Sequence, residues 1–163
     1  MLGKTAAHIF WMFRYLERCE NTARIINASH FISLTQKQNI TNQWDSILNV
    51  GGNKSFFLSK YGEVKKSTVI NFTLRDKTNP SSVLSLIGNA RQNARVVRNN
   101  LTKEVFETIN ETYHILSNIF KRPINEKNLL NTLSIIRTKC QLARGTLHGT
   151  MLRDDTYILA RMG

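Results

Sequence analysis

Long runs of three-four apolar spacing, almost free of proline, are the feature that most constrains this 163-residue chain. Alternating steps of three and four place side chains on one face of a helix, and no strand reproduces that spacing. The first line runs Ile9, Phe13, Leu16, Ala23 and Ile26, and it predicts one helix from about Lys4 to about Leu34. Thr35–Thr41 reads as a polar connector, and Gln43–Val50 as a short helix closed by Gly51-Gly52. Residues 53–78 read as helix in spite of the β-branched residues between Val64 and Leu74. At Asn79-Pro80-Ser81-Ser82, Asn is expected to cap the next helix, Pro to fill its first turn and the two Ser to take further free N–H groups. That helix carries Ile87, Ala90, Ala94, Val97 and Leu101. Thr102, with Glu104 behind it, starts another along Phe106, Ile109, Tyr113, Leu116 and Phe120, which Pro123 ends. Leu129, Leu133, Ile136, Cys140 and Ala143 mark a fourth long helix. Four such stripes on short connectors predict an all-α antiparallel helical bundle in one domain, residues 1–163. Two prolines and eight glycines leave too little punctuation for a fold of many short strands.

The charge is lopsided: 23 Lys and Arg against 11 Asp and Glu give +12, which favours anionic partners. The positive residues are spread along the chain and form no basic tail. Aromatic residues are not interleaved with them as a single-strand binder requires, so nucleic acid as a partner rests on net charge alone and is disfavoured. Cys19 and Cys140 fit neither a disulfide framework nor a metal spacing. Near Met1 there is no ordered signal-peptide pattern, and the apolar run Ala6–Phe13 stops at Arg14, too short to span a bilayer. The expectation is a reduced, cytoplasmic protein without a membrane partner.

The charged residues of the first helix are patterned. Arg14, Glu17, Arg18, Asn21 and Arg24 share one stripe by their spacing. Glu20 instead continues the Phe13-Leu16-Ala23 line and points toward the core, where an unpaired carboxylate is costly. Its expected partner is Arg91 or Arg95, from the set Arg91, Arg95 and Arg98 at i, i+4 and i+7. Two readings follow: an interhelical ion-pair network, or an anion-binding face for phosphate or carboxylate. Glu111-Thr-Tyr-His114 has the Glu-x-x-His spacing of di-iron bundles but lacks a second copy, so it reads as a solvated face. His8, His30 and His148 stand apart, and the spacing predicts no metal site. The chain holds no phosphate loop, nucleophile elbow or HExxH motif. No cofactor follows from these residues. Gly145 and Gly149 each weaken a helix by about 1 kcal/mol against Ala. Gly149-Thr150 is expected to cap a new helix from Met151, with Asp154 and Asp155 near its start.

Three blocks taken in order resemble the bacterial alpha-E domain family. The first is Thr5-Ala6-Ala7 to Trp11 with Arg14-Tyr15-Leu16-Glu17-Arg18 and Glu20-Asn21-x-Ala23-Arg24. The second is Asn79-Pro80-Ser81-Ser82 with Ala90-Arg91-x-Asn93-Ala94-Arg95 and Arg98, and the third is Gly149-Thr150-Met151-x-Arg153-Asp154. The resemblance implies a helical protein of undefined activity, encoded beside ATP-grasp ligases and transglutaminase-like proteins, which are its implied partners. The polar positions it carries over are Arg14, Glu17, Arg18, Glu20, Asn21, Arg24, Arg91, Asn93, Arg95, Arg98, Arg153 and Asp154. The function expected is that of an accessory or substrate-binding protein in ATP-grasp-linked peptide synthesis or modification. The alternatives are an enzyme using the Arg/Glu/Asp cluster on a phosphate or acyl-phosphate, and a non-specific nucleic-acid binder. The family continues into a second Arg-Tyr-Leu-Glu-Arg-like helix, and Tyr157–Gly163 can be laid on Ala7–Phe13. The resemblance therefore implies the front portion of a longer protein, its last helix docked on an incomplete bundle with apolar surface bare.

Overall fold

The computed structural model describes residues 3–35 and 40–163, and among them every regular element is helical. The elements are α1 (Gly3–Thr35), α2 (Ile40–Val50), α3 (Lys54–Tyr61), α4 (Lys66–Arg75), α5 (Val83–Val96), a 3₁₀ turn (Arg98–Asn100), α6 (Lys103–Ile119), α7 (Glu126–Thr150) and α8 (Asp155–Met162). Of the expected polar connector, residues 36–39 lie outside the described residues, and Ile40 and Thr41 already belong to α2.

α1 persists for 33 residues because no proline interrupts it and its apolar line is fully packed. Ile9, Met12, Phe13, Leu16, Cys19, Ala23 and Ile26 are all buried. α1, α5, α6 and α7 close a ring in which each helix packs on two others. Cross-contacts fix their directions. His8 meets Asn93 while Arg18 meets Ser81, so α1 and α5 run antiparallel. Arg91 meets Asn110 while Arg98 lies over Phe106, so α5 and α6 do too. Glu111 pairs with Lys139 and Thr102 with Thr150, which sets α6 against α7. The core is the shared interior of this ring, and α8 docks on α1 by Thr156, Tyr157 and Ala160 while Ile158 and Met162 face solvent.

Three boundaries differ from the sequence expectation. The N-cap of α5 is Ser82, whose side chain accepts from Ser85 N–H, so Pro80 precedes the helix instead of opening it. Asn79 is buried: its Nδ2 donates to the Phe72 carbonyl at 3.2 Å and its Oδ1 accepts from Ser81 N–H at 2.9 Å. It pins the turn to α4. Leu101 falls outside the helix, because Thr102 caps α6 and the residue before the cap is already extended. α7 continues through both Gly145 and Gly149 to Thr150, and the cap of α8 is Asp154, bonded to Tyr157 N–H. Thr150 is not free to cap, since its hydroxyl donates to the Thr146 carbonyl within α7.

The β-branched stretch does become helix, in α4. Val69, Ile70, Phe72 and Leu74 are buried there, and packing overrides their weak helical preference. α3 ends at Gly62, whose φ of 75° suits glycine, and the chain returns into α4. Phe57 stacks on Tyr61 at 4.9 Å and meets Phe72 edge-on at 5.1 Å. Asp76 locks the far end, accepting from Lys60 Nζ at 2.6 Å, Tyr61 OH at 2.8 Å and the Thr78 N–H at 2.9 Å. Burial works against its ionisation, but the hydrogen bonds from Lys60, Tyr61 and Thr78 outweigh it and hold the carboxyl well below the usual range. A lowered native pKa stabilises the fold above the ordinary carboxylate value, and that contribution fades as pH falls below about 4 toward the lowered native value. Asp76→Asn should therefore lower the denaturation midpoint at pH 7. Midpoints of the two proteins measured at a series of pH values should converge in acid, and a gap that widens there would contradict this account.

Candidate functional site

Consecutive residues on α1 look toward different neighbours, since each turns about 100° from the last. Arg14, Arg18 and Asn21, at i, i+4 and i+7, form one polar edge of the helix and line a cavity of about 310 Å³. α2 supplies Ile47 and Leu48, α4 supplies Phe72, and the turn before α5 supplies Asn79 and Ser81. Arg18 Nη2 donates to Ser81 Oγ at 3.1 Å across the rim. The lining thus combines two guanidinium groups, the amides of Asn21, Asn53 and Asn79, and an apolar floor, with no carboxylate among its residues. Planar guanidinium forks suit carboxylate and phosphate oxygens.

One residue beyond Cys19, the helix turns to α7. Glu20 is 1% exposed, and its Oε1 accepts from Arg24 Nη2 at 2.5 Å, Arg24 Nε at 3.1 Å and Gln141 Nε2 at 3.1 Å. Its Oε2 pairs with Arg144. The expected pairing with Arg91 or Arg95 does not form, because α5 lies on the side of α1 that Arg18 faces. Glu20 sits on the other side.

The arginines of α5 do not converge either. Arg91 Nε donates to Asn110 Oδ1 at 2.7 Å and its guanidinium lies 4.6 Å from the Tyr113 ring centroid. Arg98 lies 4.9 Å from the Phe106 ring, and Arg95 is exposed. Aromatic faces of α6 take the two outer cations, which relieves their mutual repulsion without an anion. Asn93 Oδ1 faces His8 Nδ1 at 3.0 Å, Glu17 pairs with Arg14, Arg153 is exposed and Asp154 caps α8. The twelve sequence candidates therefore separate into the cavity edge (Arg14, Arg18, Asn21), the buried Glu20 with its exposed partner Arg24, and scattered positions.

Sequence reasoning missed Arg144 and Gln141. Their signal was present as Arg137, Gln141, Arg144 and His148, spaced four, three and four along α7. It also gave no reason to join the cysteines, yet Cys19 and Cys140 are neighbours in the α1–α7 interface, both free and buried. Burial pushes the Cys19 thiol well above its ordinary value, and the adjacent Cys140 adds to the effect. His148 Nδ1 lies 2.7 Å from Tyr157 OH, tying α7 to α8. Glu111 pairs with Lys139, and no group of three His, Cys, Asp or Glu side chains among the described residues is placed to hold a metal. Nor is any helix among them long and apolar enough to cross a membrane.

The Glu20 cluster makes unequal demands on its two arginines. Arg24 is 56% exposed and Arg144 38%, whereas the carboxylate is almost wholly buried. Losing Arg144 strips Oε2 of its partner, and Arg144→Ala should cost about 2–3 kcal/mol, less than for a wholly buried pair. Arg24→Ala should cost about 1 kcal/mol, because Gln141 still serves Oε1. Urea denaturation of both variants checks the order, and equal losses would refute it.

A family model named Alpha-E, described as a predicted alpha-helical domain with a conserved ER motif, matches residues 1–163. The chain contains a single Glu-Arg dipeptide, Glu17-Arg18, whose arginine lines the cavity at α1. No curated protein and no solved structure matches the chain.

Proposed function

The chain belongs to the Alpha-E family, and from that premise we propose that it is a cytoplasmic, non-catalytic accessory protein of an ATP-grasp-linked peptide synthesis or modification system. Its task is to hold the carboxylate end of a peptide in the groove between α1, α2 and α4. The observation that carries this reading is the composition of that cavity, which Arg14, Arg18 and Asn21 line together with the apolar Leu48 and Phe72. A peptide terminus asks for both halves of that surface. Its carboxylate is met by a guanidinium fork and amide donors, and its last side chain by the apolar floor. Arg18 is held in place by Ser81, so part of the ordering cost of binding is met beforehand. The ATP-grasp and transglutaminase-like partners come from the family resemblance, and a system that extends or trims peptides supplies such termini.

Titration calorimetry with a tripeptide and with its C-terminal amide tests the reading on the full chain. The free acid should bind at least tenfold more tightly than the amide, about 1.4 kcal/mol, and Arg18→Ala should remove that preference. Equal affinity for acid and amide, or a variant that keeps the preference, would overturn it. Co-elution with the neighbouring ATP-grasp ligase in gel filtration is expected of the same protein.

A further inference from the structure

A second cavity, of about 620 Å³, lies on the other side of α4, between α3, α4, α5 and α6. We propose that it is a binding site for a polyphosphate group, pyrophosphate or the tail of a larger phosphate ester. The inference stands on this cavity alone and is independent of the peptide reading of the α1 groove.

Charge is the first ground. Lys60, Arg75, Lys77 and Lys121 line the cavity with Asp76 as the single carboxylate, which leaves a net +3. Asp76 cannot neutralise more than one of them, being already engaged by Lys60, Tyr61 and Thr78. Arg75 donates from Nε to the Phe120 carbonyl at 2.9 Å and from Nη2 to the Lys121 carbonyl at 3.5 Å, which places it at the C-terminal end of α6 with no carboxylate partner among the described residues. The ammonium groups of Lys77 and Lys121 have no hydrogen-bond or ion-pair partner among the described residues. Like charges gathered at one concavity repel, and an anion between them removes the repulsion.

The second ground is polar and lies in the wall. Ser117 Oγ is buried, belongs to the lining and has no hydrogen-bond partner among the described residues. A hydroxyl serves a phosphate oxygen well, as it donates in any rotamer that the oxygen selects. Apolar groups of Leu84, Tyr113 and Phe120 complete the wall and lower the local dielectric around the charges. A single carboxylate matches neither the charge nor the size of this space. Two linked phosphates, each near −1.5 to −2 at neutral pH, match the charge to within about one unit.

Inorganic pyrophosphate is the probe. Added to the full chain at low salt, it should raise the melting temperature by mass action, and the rise should shrink as salt screens the exposed lysines. Lys77 and Lys121 hold nothing else in place, so a Lys77→Ala/Lys121→Ala variant should keep the unliganded melting temperature and lose at least tenfold in affinity. Arg18→Ala should respond like the wild type, which separates this cavity from the α1 groove. The proposal is overturned by a wild type that does not respond to millimolar pyrophosphate. It is equally overturned by a double variant that responds in full, or by a single-stranded oligonucleotide that binds more tightly than pyrophosphate and is lost with the same two lysines.

Discussion

Burial of the Glu20 carboxylate on the apolar line of α1 is the constraint from which the rest of the bundle follows. A charge at that position needs partners at both carboxylate oxygens, and they come from its own helix and from the next one. Arg24 supplies the first, one turn along α1, and Arg144 with Gln141 supplies the second from α7. This ties the register of α7 to that of α1, since a slip of one turn would carry Arg144 past the carboxylate. With that register set, Cys19 faces Cys140 and the antiparallel ring with α5 and α6 closes on the same apolar seam. The ion pair adds little net attraction beyond what an apolar pair would give, but a wrong packing would strand a buried charge. Its contribution is specificity.

The same rotation along α1 divides the helix by task. Residues facing α2, α4 and the turn before α5 border the 310 Å³ cavity, and Glu20, facing α7, meets Arg144. Arg18 and Glu20 are only two positions apart, yet they serve separate surfaces because two residues turn a helix by about 200°. Asn79 is the structural counterpart on the far wall. By bonding both the Phe72 carbonyl and the Ser81 N–H, it fixes the turn that presents Ser81 to Arg18. The cavity therefore depends on α4, and through it on the Phe57–Tyr61–Phe72 aromatic cluster.

The surplus positive charge has two fates in this structure. Arg91 and Arg98 are absorbed by aromatic faces of α6, where the ring quadrupole stands in for a counter-charge. Lys77 and Lys121 find no such cover among the described residues, Arg75 meets only carbonyls at the end of α6, and the three collect around a concavity. A net charge of +12 says nothing about this difference. Only the location of each cation relative to rings, carbonyls and carboxylates distinguishes a satisfied arginine from one that is free to bind.

By itself the sequence determined the helices and their buried faces. Leu129, Leu133, Ile136, Cys140 and Ala143 were legible as one stripe, Thr102 as a cap and Glu20 as a core-facing acid, because those properties depend on spacing within a single element. Local hydrogen bonding and the helical period need no partner to be read. Tertiary structure alone decided which arginine meets Glu20, which residue caps α5 and α8, and which cations stay unpaired. Each of these is a choice among candidates with equal local credentials: Arg91, Arg95 and Arg144 all sit on helical edges, and Asn79 and Ser82 both carry capping oxygens. The deciding quantity is the distance across a helix–helix interface, and that distance is set by the whole core packing at once.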